Sequence, residues 1–157
     1  MRRFAAFAML AAFVIASPAF AADPVIGTWK LDVTKSTFAL GPAPIAMTRV
    51  YSESNGLYEL KITTTASDGK ITSGEVVYRE GKEERQPDSD PEVTVLAAKK
   101  IDNNTWDFDV KHGGKVTGHV HRVVSPDGKT LTVHNSRTSD SPEGRKSGDE
   151  TLVFEKQ

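Results

Sequence analysis

The chain has 157 residues, of which 38% are hydrophobic and 26% charged, with 20 basic residues against 21 acidic ones and a formal net charge of −1. Lys and Glu are interspersed with no basic block, which argues against a nucleic-acid surface and against electrostatic docking on anionic membranes. Cys is absent, so neither disulfides nor thiolate chemistry contributes.

Residues 1–21 have the three parts of a secretory signal peptide. Arg2 and Arg3 give a positive start, Phe4 to Ala16 run apolar without a charge, and Ala19-Phe20-Ala21 follows Ser17-Pro18 as a small-x-small cleavage site. The apolar run is shorter than the ~20 residues of a membrane-spanning helix. The polar residues expected around a twin-arginine signal are missing, and there is no Cys to carry a lipid. The expected product is an exported soluble domain over residues 22–157, in the periplasm or secreted, without a stable membrane anchor. Without Arg2 and Arg3 its balance is 18 basic to 21 acidic, about −3. Its length suits one domain with a disulfide-free core.

From there the pattern is almost wholly β. Val25 to Val33 opens it. Thr48 to Glu53 ends at Ser54-Asn55-Gly56, whose Asn-Gly pair favours a tight hairpin. Leu57 to Ala66 alternates Tyr58, Leu60 and Ile62 with Glu59, Lys61 and Thr63, and Ser67-Asp68-Gly69-Lys70 turns it into Ile71 to Glu80. A polar loop is expected from Gly81 to Pro91. Val93 to Ile101, Thr105 to Lys111, Val116 to Val124, Thr130 to Thr138 and Glu150 to Glu155 complete the series, joined by Asn-, Gly- and Pro-rich turns. No segment has a convincing helical period. A meander of strands with one apolar face each closes either as an up-and-down antiparallel barrel, here of eight to ten strands, or as a two-sheet sandwich. A barrel removes exposed edges, and the last strand, with Leu152 and Phe154, is placed to pair with the first.

Gly27-Thr28-Trp29-Lys30-Leu31 resembles the opening of lipocalins and fatty-acid-binding proteins, which share the calycin barrel, and Glu150 to Lys156 is similar to the closing strand of the fatty-acid-binding type. Gly41-Pro42-Ala43-Pro44 with Thr48 to Tyr51 resembles exported bacterial proteins termed lipocalin-like. The pattern spans most of residues 22–157, the motifs only about fifteen residues. There is no helix-turn-helix lid after the first strand and no Thr-Asp-Tyr motif. The resemblance implies that Gly27 and Trp29 are structural, with Trp29 plugging the closed end of the barrel. It also implies that a late Arg, here Arg137, packs over the indole.

Arg122 is the sharpest candidate for function. Pairing Val124 with Lys129 across Pro126-Asp127-Gly128 sets Arg122 opposite Leu131 and His119 opposite His134. Alternation then places Val116, Val120, Arg122 and Val124 with Leu131 and Val133 on the inward face. An interior Arg is costly unless paired, and a ligand carboxylate matches its bidentate geometry. The resemblance points the same way, since fatty-acid-binding barrels use interior Arg residues near the carboxyl end. A rim position in water, or an acidic partner, is the alternative. Tyr58, Leu60, Ile62, Val76, Tyr78, Trp106, Phe108, Val120 and Leu131 are the expected inward residues. The opposite face carries His119, His121, Thr132 and His134, and three His on one face are weak candidates for a zinc site; a solvated polar face is the default. Asp88, Asp90 and Glu92 alternate beside Pro87 and Pro91 without the Gly and spaced ligands of a calcium loop.

No nucleophile motif or phosphate loop is present, so an enzyme is not expected and no cofactor is implied. The expected function is binding of a small, largely apolar molecule, with a carboxylate as one option, inside a monomeric barrel. The alternative is a filled-core structural or interaction module.

Overall fold

The structure, a computed structural model, describes residues 23–87, 94–138 and 146–157. The expected signal peptide, the acidic run Asp88, Asp90 and Glu92, and most of residues 139–148 lie outside the described residues.

Ten strands follow in chain order: β1 (Gly27–Leu31), β2 (Ala46–Ser54), β3 (Leu57–Thr65), β4 (Ile71–Tyr78), β5 (Glu83–Arg85), β6 (Thr94–Lys100), β7 (Thr105–His112), β8 (Lys115–Val124), β9 (Thr130–Arg137) and β10 (Gly148–Lys156). They form one antiparallel sheet in the order β4-β3-β2-β1-β10-β9-β8-β7-β6-β5. The sheet curls into a nearly closed barrel, and the sandwich alternative is set aside. The ring is carried across the termini by β1 and β10, where Leu31 faces Phe154 and Trp29 faces Lys156. Among the described residues the only helical element is a 3₁₀ turn, Val33–Lys35, capped by the Asp32 carboxylate on the amides of Thr34 and Lys35.

Among the described residues one seam interrupts the ring, between β4 and β5. There the Gln86 side chain acts as a short piece of strand. Its Oε1 accepts from Val77 N at 3.0 Å and its Nε2 donates to Val77 O at 2.9 Å. The Arg79–Glu84 ion pair lies beside it at 2.9 Å. β5 corrects the expectation of a loop from Gly81 onward. Glu83-Glu84-Arg85 has no apolar alternation, and it becomes a strand only by pairing with Val95–Ala97 of β6.

The strand ends joined by the turns after β2, β4, β6 and β8 form the closed end, which is packed solid. Val25, Trp29, Val124, Leu131 and Phe154 are at most 1% exposed there. Burying each large apolar side chain contributes about 1.5–3 kcal/mol. The Trp29 indole N–H donates to Val25 O at 2.7 Å. The cation over its ring is Lys156, whose Nζ lies 5.1 Å from the centroid and donates to Pro24 O at 3.0 Å. The expected role of Arg137 is therefore corrected. Arg137 pairs with Gly148 at the start of β10, and Lys156 ends that strand, roughly 26 Å away.

The β8–β9 register is also corrected. Val124 faces Leu131, not Lys129, so Arg122 faces Val133, His121 faces His134 and His119 faces Ser136. Ser125 closes the turn by donating its amide to Thr130 O at 2.8 Å. Because the slip is two residues, no side chain changes face, and Arg122 and Val120 keep their inward assignment. Near the start of β8 a bulge does change the alternation: Val110 faces Gly118 but Lys111 faces Val116, so Val116 leaves the inward face expected for it.

Candidate functional site

Arg122 lies at the centre of the interior, 2% exposed. Its strand delivers it inward between Val120 and Val124, and β4, β7 and β2 bring Tyr78, Trp106, Phe108 and Tyr51 around it. The guanidinium carbon is 5.3 Å from the ring centres of Tyr51, Trp106 and Phe108 and 5.4 Å from that of Tyr78. Tyr58 extends this aromatic group by stacking on Tyr78, with ring centroids 4.9 Å apart. Arg122 Nη1 donates to the Tyr78 hydroxyl at 2.6 Å. Burial pushes the Tyr78 phenol far above its usual range, against the opposing pull of Arg122, so the hydroxyl is neutral and balances none of the Arg charge.

Arg122 Nε and Nη2 are buried and have no partner. These two donors share one edge of the guanidinium plane, the edge that meets a carboxylate through two parallel hydrogen bonds. An unsatisfied buried donor costs about 1–3 kcal/mol, more when charged.

A second interior cation, Arg49 on β2, reaches the same place. Its Nη1 donates to the Tyr51 hydroxyl at 3.4 Å, its guanidinium stacks 4.7 Å from the Phe154 ring centre, and its Nε is buried without a partner. Arg49 and Tyr51 were missed from sequence, although Met47, Arg49 and Tyr51 alternate on one face by the same rule that singled out Arg122.

Both arginines border a cavity of about 240 Å³ above the solid end of the barrel. Its wall is aliphatic and aromatic, from Leu60, Ile62, Val76, Leu96, Phe108 and Val120, with Gln86 and Asn135 as polar points and, among the described residues, no carboxylate. Of the expected ligand-facing residues, Arg122, Tyr78, Phe108 and Val120 line it. Tyr58, Trp106 and Leu131 do not: Leu131 is in the plug, Trp106 packs behind Arg122, and Tyr58 leans to the closed end. There the Tyr58 hydroxyl donates to Asp23 Oδ2 at 3.2 Å and Lys100 Nζ donates to the same oxygen at 3.3 Å. Burial first, then the Asp23 carboxylate, pushes the Tyr58 phenol up to about 12.

The three histidines are exposed on the outer face, as alternation requires. His119 Nδ1 is 2.7 Å from Asp109, His121 Nδ1 is 2.6 Å from Asp107, and His134 Nδ1 is 2.7 Å from the Thr151 hydroxyl. Among the described residues no group of three or more His, Asp or Glu side chains is placed to hold a metal ion.

A nearly closed antiparallel barrel, with two buried arginines beside an apolar cavity, is the architecture the chain presents. Solved structures agree. The fluorescent protein UnaG superposes with a TM-score of 0.60 at 14% identity, over 87% of this chain and 100% of that one. A Schistosoma mansoni fatty acid binding protein, solved with arachidonic acid, gives 0.60 at 13% identity over 85% and 96%. As-p18, an extracellular fatty acid binding protein, gives 0.57 at 17% identity over 86% and 97%. At such identities the likeness establishes the fold. No family model matches the sequence, and no curated protein does.

Proposed function

We propose that the protein is an exported, non-enzymatic binding protein that holds a small, largely apolar carboxylate in its barrel, with Arg122 as the anchor. The observation that carries this reading is the unpartnered Nε/Nη2 edge of Arg122, buried beside an apolar cavity that has no carboxylate among the described residues that line it. Arg49 supports the anchor from the neighbouring strand. The fold neighbours that bind fatty acids support the ligand class. Residues 1–21 support export to the periplasm or medium, and Asp23, just past the expected cleavage point, is held by Val25, Tyr58 and Lys100. The mixed charge, with no basic block, supports the absence of nucleic-acid partners.

Arg122→Met keeps volume and removes the charge. It should weaken a carboxylate ligand by about 1.5–3 kcal/mol, the range for hydrogen bonds to charged groups, and leave the matching alcohol nearly unchanged in calorimetry. Intact-mass measurement of protein recovered from its exporting cell should give a chain beginning at Ala22. The second reading, a filled core, is favoured by the aromatic box that already surrounds Arg122. It takes over if acid and alcohol respond alike to Arg122→Met, or if neither binds.

A further inference from the structure

We infer that the ligand is compact, a monocarboxylate of about ten non-hydrogen atoms, and that long-chain fatty acids are not accommodated along their length. The inference rests on the Arg122 anchor proposed above and adds the size of what it anchors.

The interior of this ten-stranded barrel is largely occupied by its own side chains. Trp29, Leu131 and Phe154 fill the closed end at 0% exposure, and Trp106 at 1% packs behind the guanidinium. Tyr51, Tyr78 and Phe108 then form a layer around Arg122. The anchor therefore does not lie at the bottom of a deep tube. It sits on a floor of bulky rings, and the space above it is about 240 Å³. An apolar cavity of about 150 Å³ takes one benzene ring, so about 240 Å³ corresponds to roughly ten non-hydrogen atoms on that scale. Drug-sized ligands need about 300–1,000 Å³. The wall above the floor is Leu60, Ile62, Val76, Leu96 and Val120, which gives a short apolar body its contacts. A longer tail extends beyond this volume and past the described residues that line it.

The test is a length series of straight-chain carboxylates, from butanoate to octadecanoate below their micelle concentrations, each with its matching alcohol, titrated calorimetrically into the purified protein. Affinity should rise about fourfold per added methylene, the value of one buried CH₂, up to octanoate or decanoate, and then stop rising. Two variants move the break without touching the anchor: Ile62→Ala should shift it to longer acids and Val76→Phe to shorter ones. Either variant suffices should the other fail to fold. Preference for acids over alcohols with affinity climbing steadily to octadecanoate overturns the size inference and leaves the anchor standing. Equal binding of acids and alcohols, or no binding at any length, overturns the anchor and the size inference with it.

Discussion

Trp29 shows how single residues close one end of this barrel. Its ring has no exposure, its N–H is satisfied by Val25 O, and the Lys156 ammonium covers its face at 5.1 Å. Trp29→Ala should cost about 3–5 kcal/mol, as large aromatic deletions from a core do. Lys156→Ala should cost about 0.5–1 kcal/mol, the value of an exposed cation–π contact, whereas Arg137→Ala should stay within about 0.5 kcal/mol as an ordinary surface change. Urea unfolding of the three variants measures all of this. Tyr58 gives a pH signature at the same end. Folding raises its pKa from 10.0 to about 12, so the folded chain holds the phenol proton more tightly than the unfolded one. That contribution is complete below about pH 10 and is lost as the pH climbs through about 12. A titration of tyrosinate absorbance should show a step near pH 12, absent in Tyr58→Phe, with stability declining across the same window.

At the scale of elements, the seam between β4 and β5 is where the barrel depends on a side chain to do a backbone's task. Gln86 meets both the N–H and the C=O of Val77. Gln86→Ala removes both partners and should cost about 1–3 kcal/mol for each group that water cannot reach, with hydrogen exchange at the Val77 amide accelerating before that of β8 or β9. Gln86→Glu keeps the acceptor and loses the donor, and should fall between. The β8 bulge is a second weak point. A Cβ at Gly118 would lie 2.8 Å from Ser136 O on β9, a backbone atom that cannot swing aside. Gly118→Ala should therefore destabilise by about 1–3 kcal/mol, the cost of overpacking, read as a lower urea midpoint at unchanged slope.

For the whole molecule, closure depends on the last strand. β10 pairs with β9 from Gly148 to Glu155 and with β1 from Phe154 to Lys156, and it carries Leu152 and Phe154 into the core. Removing Thr151–Gln157 exposes the edges of β1 and β9 at once and takes Phe154 from the plug. The truncated chain should lose its cooperative thermal transition by circular dichroism and aggregate, because unpaired edges recruit other chains. In the intact chain a ligand at one hundred times its dissociation constant should stabilise by about 2.7 kcal/mol, visible as a rise in Tm.

The chain's own pattern determined the class of fold and the faces of its strands. Period-two alternation is a local property, so Leu60, Ile62, Val76, Tyr78, Phe108, Val120 and Arg122 could be placed inward without knowing their neighbours. A two-residue error in the β8–β9 register left those faces intact because the strand repeat is two. The tertiary structure alone decided what lies above and below them. β5 exists because β6 supplies its hydrogen bonds, Lys156 covers Trp29 because β10 runs beside β1, and Gln86 closes the seam because its loop brings an amide to Val77. Depth along the barrel axis was equally invisible: Trp106 and Leu131 share the inward parity of Phe108 and Val120, yet they belong to packed layers and not to the cavity wall. Arg49 followed the same alternation as Arg122, but its meaning came only from convergence on Tyr51, which bonds to one guanidinium and lies beneath the other. Sequence periodicity reports which way a side chain points; distance between strands far apart in the chain decides what it meets.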